Sequence, residues 1–125
     1  MDVLMQPTSD GDEHMFVIVA EANAGKEHQT HLLVNFSSIK DGIYHDPACT
    51  VVGNRKHHSF LRRDSFVAYE HAEIQLASDL VRGVGSRRLT LLDPASPDLL
   101  ERIKKGIAKS ARIARKHRSY FEKNG

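Results

Sequence analysis

The chain has 125 residues, 40% of them hydrophobic and 27% charged. That balance fits one globular domain with a single core, and no apolar run reaches the roughly 18–20 residues of a helical membrane span. The formal net charge of +2 hides a polarity: 6 Lys+Arg stand against 12 Asp+Glu up to Val81, and 12 against 4 from Arg82 onward. The basic charge therefore lies in the last third, where it suits an acidic partner or a polyanion.

Met1 to Asp12 is polar and acidic. It reads as a flexible N-terminal arm and lacks the pattern of a secretory signal. Met15 to Ala20 is an apolar, β-branched run that predicts a buried strand, and His31 to Phe36 predicts a second. The polar stretch between them carries Gly25 and predicts an antiparallel hairpin. Lys40-Asp41-Gly42 and His45-Asp46-Pro47 are turn signals. Cys49 to Val52 reads as a short strand, Phe60-Leu61 as a brief apolar element, and Ser65 to Gln75 as a strand, with Ala72 to Leu80 fitting a short helical turn equally well.

Ser96 followed by Pro97 is a helix start, with Asp98 and Glu101 in the first turn. Leu100, Ile103, Ile107, Ala111 and Ala114 then form one apolar stripe, which predicts an amphipathic helix from Pro97 to about His117. Gly106 inside it costs about 1 kcal/mol relative to Ala and marks a close packing contact. The expected architecture is mainly β, a small antiparallel barrel or α+β domain with the helix packed on one side. The domain spans residues 13–118, between an arm at 1–12 and a tail at 119–125. Cys49 is the only cysteine. It excludes an internal disulfide, favours a reducing, cytoplasmic setting, and in its apolar strand reads as a small buried hydrophobe rather than a nucleophile.

The thirteen residues from His57 to Tyr69 hold imidazole, guanidinium, hydroxyl and phenol groups. Imidazole moves protons near neutral pH, and guanidinium neutralises phosphate through paired hydrogen bonds. Together they suit cleavage of an RNA phosphodiester: a base takes the 2′-OH proton, an acid protonates the leaving oxygen, and Arg62 or Arg63 holds the phosphate. No metal or other cofactor enters that scheme. The same residues also read as a solvated turn with packing histidines. His45, Cys49, His57, His58 and His71 are the candidate metal ligands, but no metal-binding spacing occurs among them. Gly83-Val84-Gly85 reads as a flexible loop leading to Arg87 and Arg88. With Lys104, Lys105, Lys109 and Arg112 on the helix, these form a candidate surface for nucleic acid or an acidic protein.

Five segments resemble the PemK/MazF-like, toxin-type endoribonuclease superfamily over residues 13–112. They are Val34-Asn35-Phe36-Ser37-Ser38, Asp46-Pro47-Ala48-Cys49-Thr50-Val51, His58-Ser59-Phe60-Leu61, Ser65-Phe66-Val67 with Tyr69, and the helix-bearing stretch from Leu92 to Ser110. The resemblance implies a compact barrel of the Src-homology-3 type with a C-terminal helix. It also implies a homodimer that places single-stranded RNA across its interface, and an antitoxin protein that covers that surface. Matched by position, the family's hydroxyl-bearing strand end falls on Ser37 and Ser38. The family's Arg-Pro pair is absent, and His14-Met15 stands in its place. Two readings follow. The first is a metal-independent endoribonuclease using His14, Ser37, Ser38, His58 and Arg62 or Arg63, with His58 as the acid–base group. The second is a non-catalytic module on the same barrel that binds nucleic acid or protein through its basic helix.

Overall fold

The computed structural model describes residues 3–7, 13–25, 28–53 and 58–125. Its frame is a seven-stranded, mainly antiparallel sheet with three helices. β1 (Val3–Pro7) pairs with β2 (Glu13–Ala22), and β2 pairs with β3 (Thr30–Ser38), so the expected hairpin is present. The segment expected to be an arm thus contributes a strand: Val3 and Leu4 alternate between two apolar clusters, one on each face of the sheet. β3 is long enough to take two partners on its other edge. Its C-terminal half pairs with β5 (Ser65–Val67), which carries β4 (Thr50–Val51), and its N-terminal half pairs with β6 (Glu73–Leu76). β7 (Thr90–Leu92) joins β1, so β4 and β7 are the two ends of the main strand path.

The segment expected as one strand from Ser65 to Gln75 is broken. After β5, Tyr69–His71 makes a single 3-10 turn before β6 begins. α1 (Ala77–Gly85) follows, so Gly83-Val84-Gly85 is the last turn of a helix and not a loop. Leu80 of α1 caps the smaller cluster with Leu4, Ile18 and Leu33. The main core lies on the opposite face, where Met15, Val17, Val34 and Val67 meet Leu99, Ile103 and Ile107 of α2 (Pro97–Lys109). A register shift between Ile18 and Ala20 lets Val19 and Ala20 both join that core.

Ser96 caps α2 as expected, its Oγ accepting the Leu99 N–H at 3.1 Å. Gly106 is the close contact: a Cβ there would lie 2.0 Å from the Tyr69 hydroxyl. That hydroxyl donates to the Ile103 carbonyl at 2.6 Å. The helix does not run on to His117. It stops at Lys109, and α3 (Arg115–Asn124) takes up residues assigned in part to a tail. The reason is Ser110, buried and extended, whose Oγ accepts the N–H groups of Arg112 at 3.1 Å and Ile113 at 3.2 Å. Such local bonds compete with the helical ladder, which a periodic apolar pattern does not reveal. Leu99 enters the core instead of the expected Ala111, which is exposed.

Candidate functional site

Period-two alternation sets the floor of the main cleft. Met15 and Val17 turn to the core, which sends His14 to the other face of β2. At the far end of β3, Ser37 pairs with Phe66 and Ser38 with Ser65. These strand ends, the 40–45 loop and the 60–63 turn enclose about 690 Å³. The lining gathers five residues expected at the site: His14, Ser37, Ser38, Arg62 and Arg63. It adds Lys40, Ile43, Tyr44, His45 and four aromatic or apolar neighbours, Phe36, Phe60, Leu61 and Phe66. None of the described lining residues is an acid. Five cationic or imidazole side chains therefore share one concavity, a field that suits an anion.

The two arginines are held in place through their backbone. The Ser65 hydroxyl donates to the Arg63 carbonyl at 2.8 Å, and the Ile39 N–H donates to the Asp64 carbonyl at 2.9 Å. The Asp64 carboxylate accepts the Gly53 N–H at 2.9 Å. Only glycine permits this approach, because a Cβ on Gly53 would sit 2.0 Å from the Arg63 carbonyl carbon. Both arginine side chains are exposed and make no ion pair among the described residues.

His58 does not fit the acid–base role assigned from the sequence. Its ring is buried, and Nδ1 accepts the Phe60 N–H at 3.0 Å. That leaves the proton on Nε2, which donates to the Asp93 carbonyl at 2.7 Å. With both nitrogens occupied, His58 fastens the 58–61 turn to the segment after β7. It lines a second, smaller concavity of about 390 Å³ that shares Phe60 and Arg62 with the cleft. His14 and His45 are the imidazoles open to the cleft. His45 packs its ring on Phe66, centroids 5.3 Å apart. In the sequence His45 stands out only as a metal ligand, and Lys40 and Tyr44 only as part of a turn-rich stretch. The available signal was a breaker-rich connection carrying cations and an aromatic, the kind of loop that bears function on a rigid frame.

Part of the expected basic surface is engaged within the protein, as are two neighbouring arginines of the helices. Arg112 lies 4.4 Å over the Tyr44 ring and 3.4 Å from the Glu70 carboxylate. Lys105 pairs with Glu101 at 3.3 Å, and Arg102 donates to the Thr50 carbonyl. Arg118 donates to the Ser110 carbonyl, which binds α3 to the end of α2. Arg88 donates to the Ser86 hydroxyl at 3.2 Å, and Arg87, with φ 65°, sits beside it beyond α1. Lys104 is half-buried and Lys109 exposed. None of these lines the cleft.

Cys49 is buried, and desolvation pushes its thiol up, against the lowering influence of Arg102. Desolvation likewise pushes the Tyr69 phenol up. Neither group is poised as a nucleophile or base. Among the described residues no cluster of three His, Cys, Asp or Glu side chains forms a metal site, and His57 lies outside those residues. No described helix is long and apolar enough to cross a membrane. Comparison with family models, curated proteins and solved structures found no match to this chain.

Proposed function

We propose that this protein is a metal-independent endoribonuclease that cleaves single-stranded RNA in the cleft beside Ser37. The observation that carries the reading is the company of His14, His45, Arg62, Arg63 and Lys40 in one concavity whose described lining has no carboxylate. One of the two imidazoles takes the 2′-OH proton, and the freed oxygen attacks the adjacent phosphorus. The other imidazole protonates the departing 5′-oxygen, leaving a 2′,3′-cyclic phosphate and a 5′-hydroxyl. Arg62 and Arg63 stabilise the charge that builds on the phosphoryl oxygens, and the hydroxyls of Ser37 and Ser38 orient them.

This reading is in keeping with the sequence resemblance to PemK/MazF-like toxins and their Src-homology-3-type barrel. From that resemblance come a homodimeric active form and an antitoxin that occupies the cleft. The decisive experiment incubates the purified protein with mixed RNA in excess chelator and identifies the new termini. Cleavage that persists with chelator, ends in cyclic phosphate, and falls at least 100-fold in His14→Ala or His45→Ala supports the proposal. RNA that is bound but left intact assigns the cleft to the second reading, a binding module without turnover. RNA neither bound nor cut removes the endoribonuclease and leaves, of the second reading, only a module that binds protein.

A further inference from the structure

We infer that Tyr44 is a stacking site for a nucleobase of the bound strand, with Arg112 as its positioning residue. The inference rests on the RNA reading of the cleft. Tyr44 is 63% exposed, although a ring of that size normally gains by burial. Arg112 covers it with its guanidinium 4.4 Å from the ring centroid, and Tyr44 also lines the cleft. The guanidinium is paired with Glu70 at 3.4 Å, so its charge is already answered within the protein. Its place against the ring lets it fix a platform rather than grip a phosphate.

The loop that carries the ring is anchored at two points. Asp46, 4% exposed, accepts the Ser110 hydroxyl on Oδ2 at 2.5 Å and the Ala48 N–H on Oδ1 at 2.9 Å. His45 is packed on Phe66. Tyr44 is therefore a pre-set aromatic surface next to a row of cations, the combination that binds single strands by stacking and backbone contact together. Any base has a face that can stack, so the site takes a nucleobase of any identity.

The test uses a short oligodeoxyadenylate, which lacks the attacking hydroxyl, and the same backbone without bases. Tyr44→Ala should weaken the oligodeoxyadenylate about tenfold and leave the abasic strand unchanged. Tyr44→Phe should bind as the wild type does, since the ring alone is needed. Arg112→Ala should lose affinity for the adenylate strand only, and adding it to Tyr44→Ala should cost nothing more. Arg112→Ala that weakens both probes equally would make Arg112 a phosphate contact and overturn its positioning role. Wild-type protein that binds both probes equally would overturn the stacking site while leaving the RNA reading intact. Wild-type protein that binds neither would overturn both.

Discussion

The cleft and the α2–α3 helices are both basic in the sequence, yet they differ in how their arginines are engaged within the chain. On the helices, Arg102, Lys105, Arg112 and Arg118 are engaged with carbonyls, carboxylates or a ring of the same chain. In the cleft, Arg62 and Arg63 stand exposed with no acid among the described lining residues. Charge count alone therefore does not locate a binding surface. What decides is whether each cation already has a partner, because a cation with an intramolecular partner must give it up to bind a ligand.

The largest expected effect lies on the structural side of this contrast. Gly106→Ala drives a methyl group into the Tyr69 hydroxyl and disrupts its bond to the Ile103 carbonyl, so urea unfolding should report a loss of about 3 kcal/mol or more. Next comes the cleft. Arg62→Gln with Arg63→Gln should weaken RNA binding by more than about tenfold and flatten the salt slope by about 0.7 per charge removed, with stability within about 0.5 kcal/mol of wild type. Lys104→Gln with Lys109→Gln should change affinity less than about twofold. Equal losses in those two pairs of variants would erase the distinction drawn between the regions.

Asp46→Ala should come third, costing about 1–3 kcal/mol because it leaves the buried Ser110 hydroxyl without its acceptor. The smallest effect is a pH dependence. His117 on α3 is buried with Nδ1 unpaired among the described residues, and desolvation, aided by Lys116, holds its pKa below the ordinary 6.5. The unfolded chain then takes up the proton first, so this contribution is whole above about pH 6.5 and is lost as pH falls toward the folded value. His117→Leu should remove that part of the acid sensitivity, seen as a smaller drop in thermal midpoint between pH 7 and pH 5.

Much of the frame was legible because its signals are local. β2 carries a β-branched run and β3 an apolar run of Leu, Val and Phe, Ser96-Pro97 announces α2, and Gly106 flags the contact that Tyr69 makes. The arm, β7 and the elbow at Ser110 were not legible. Val3–Pro7 is a strand through its pairing with β2 and β7, and Thr90–Leu92 through its pairing with β1, which no window of sequence displays. The cleft is readable in its residue types, and five of its lining residues, His14, Ser37, Ser38, Arg62 and Arg63, stand out in the sequence. His58 was misassigned because its role depends on a carbonyl 35 residues away. His45 was undervalued because its worth comes from facing a cleft assembled by other elements.

The Ser110 hydroxyl also joins two events that look separate. It ends α2 by taking the N–H groups of Arg112 and Ile113, and through Asp46 it holds the loop that carries Tyr44 and His45. A surface loop would ordinarily exchange its amide hydrogens freely, but this one is tied through Asp46 to the turn between the helices. The wall of the cleft and the C-terminal helices should therefore exchange as one cooperative unit. A ligand that orders the wall should slow exchange in α3, a helix that does not line the cleft.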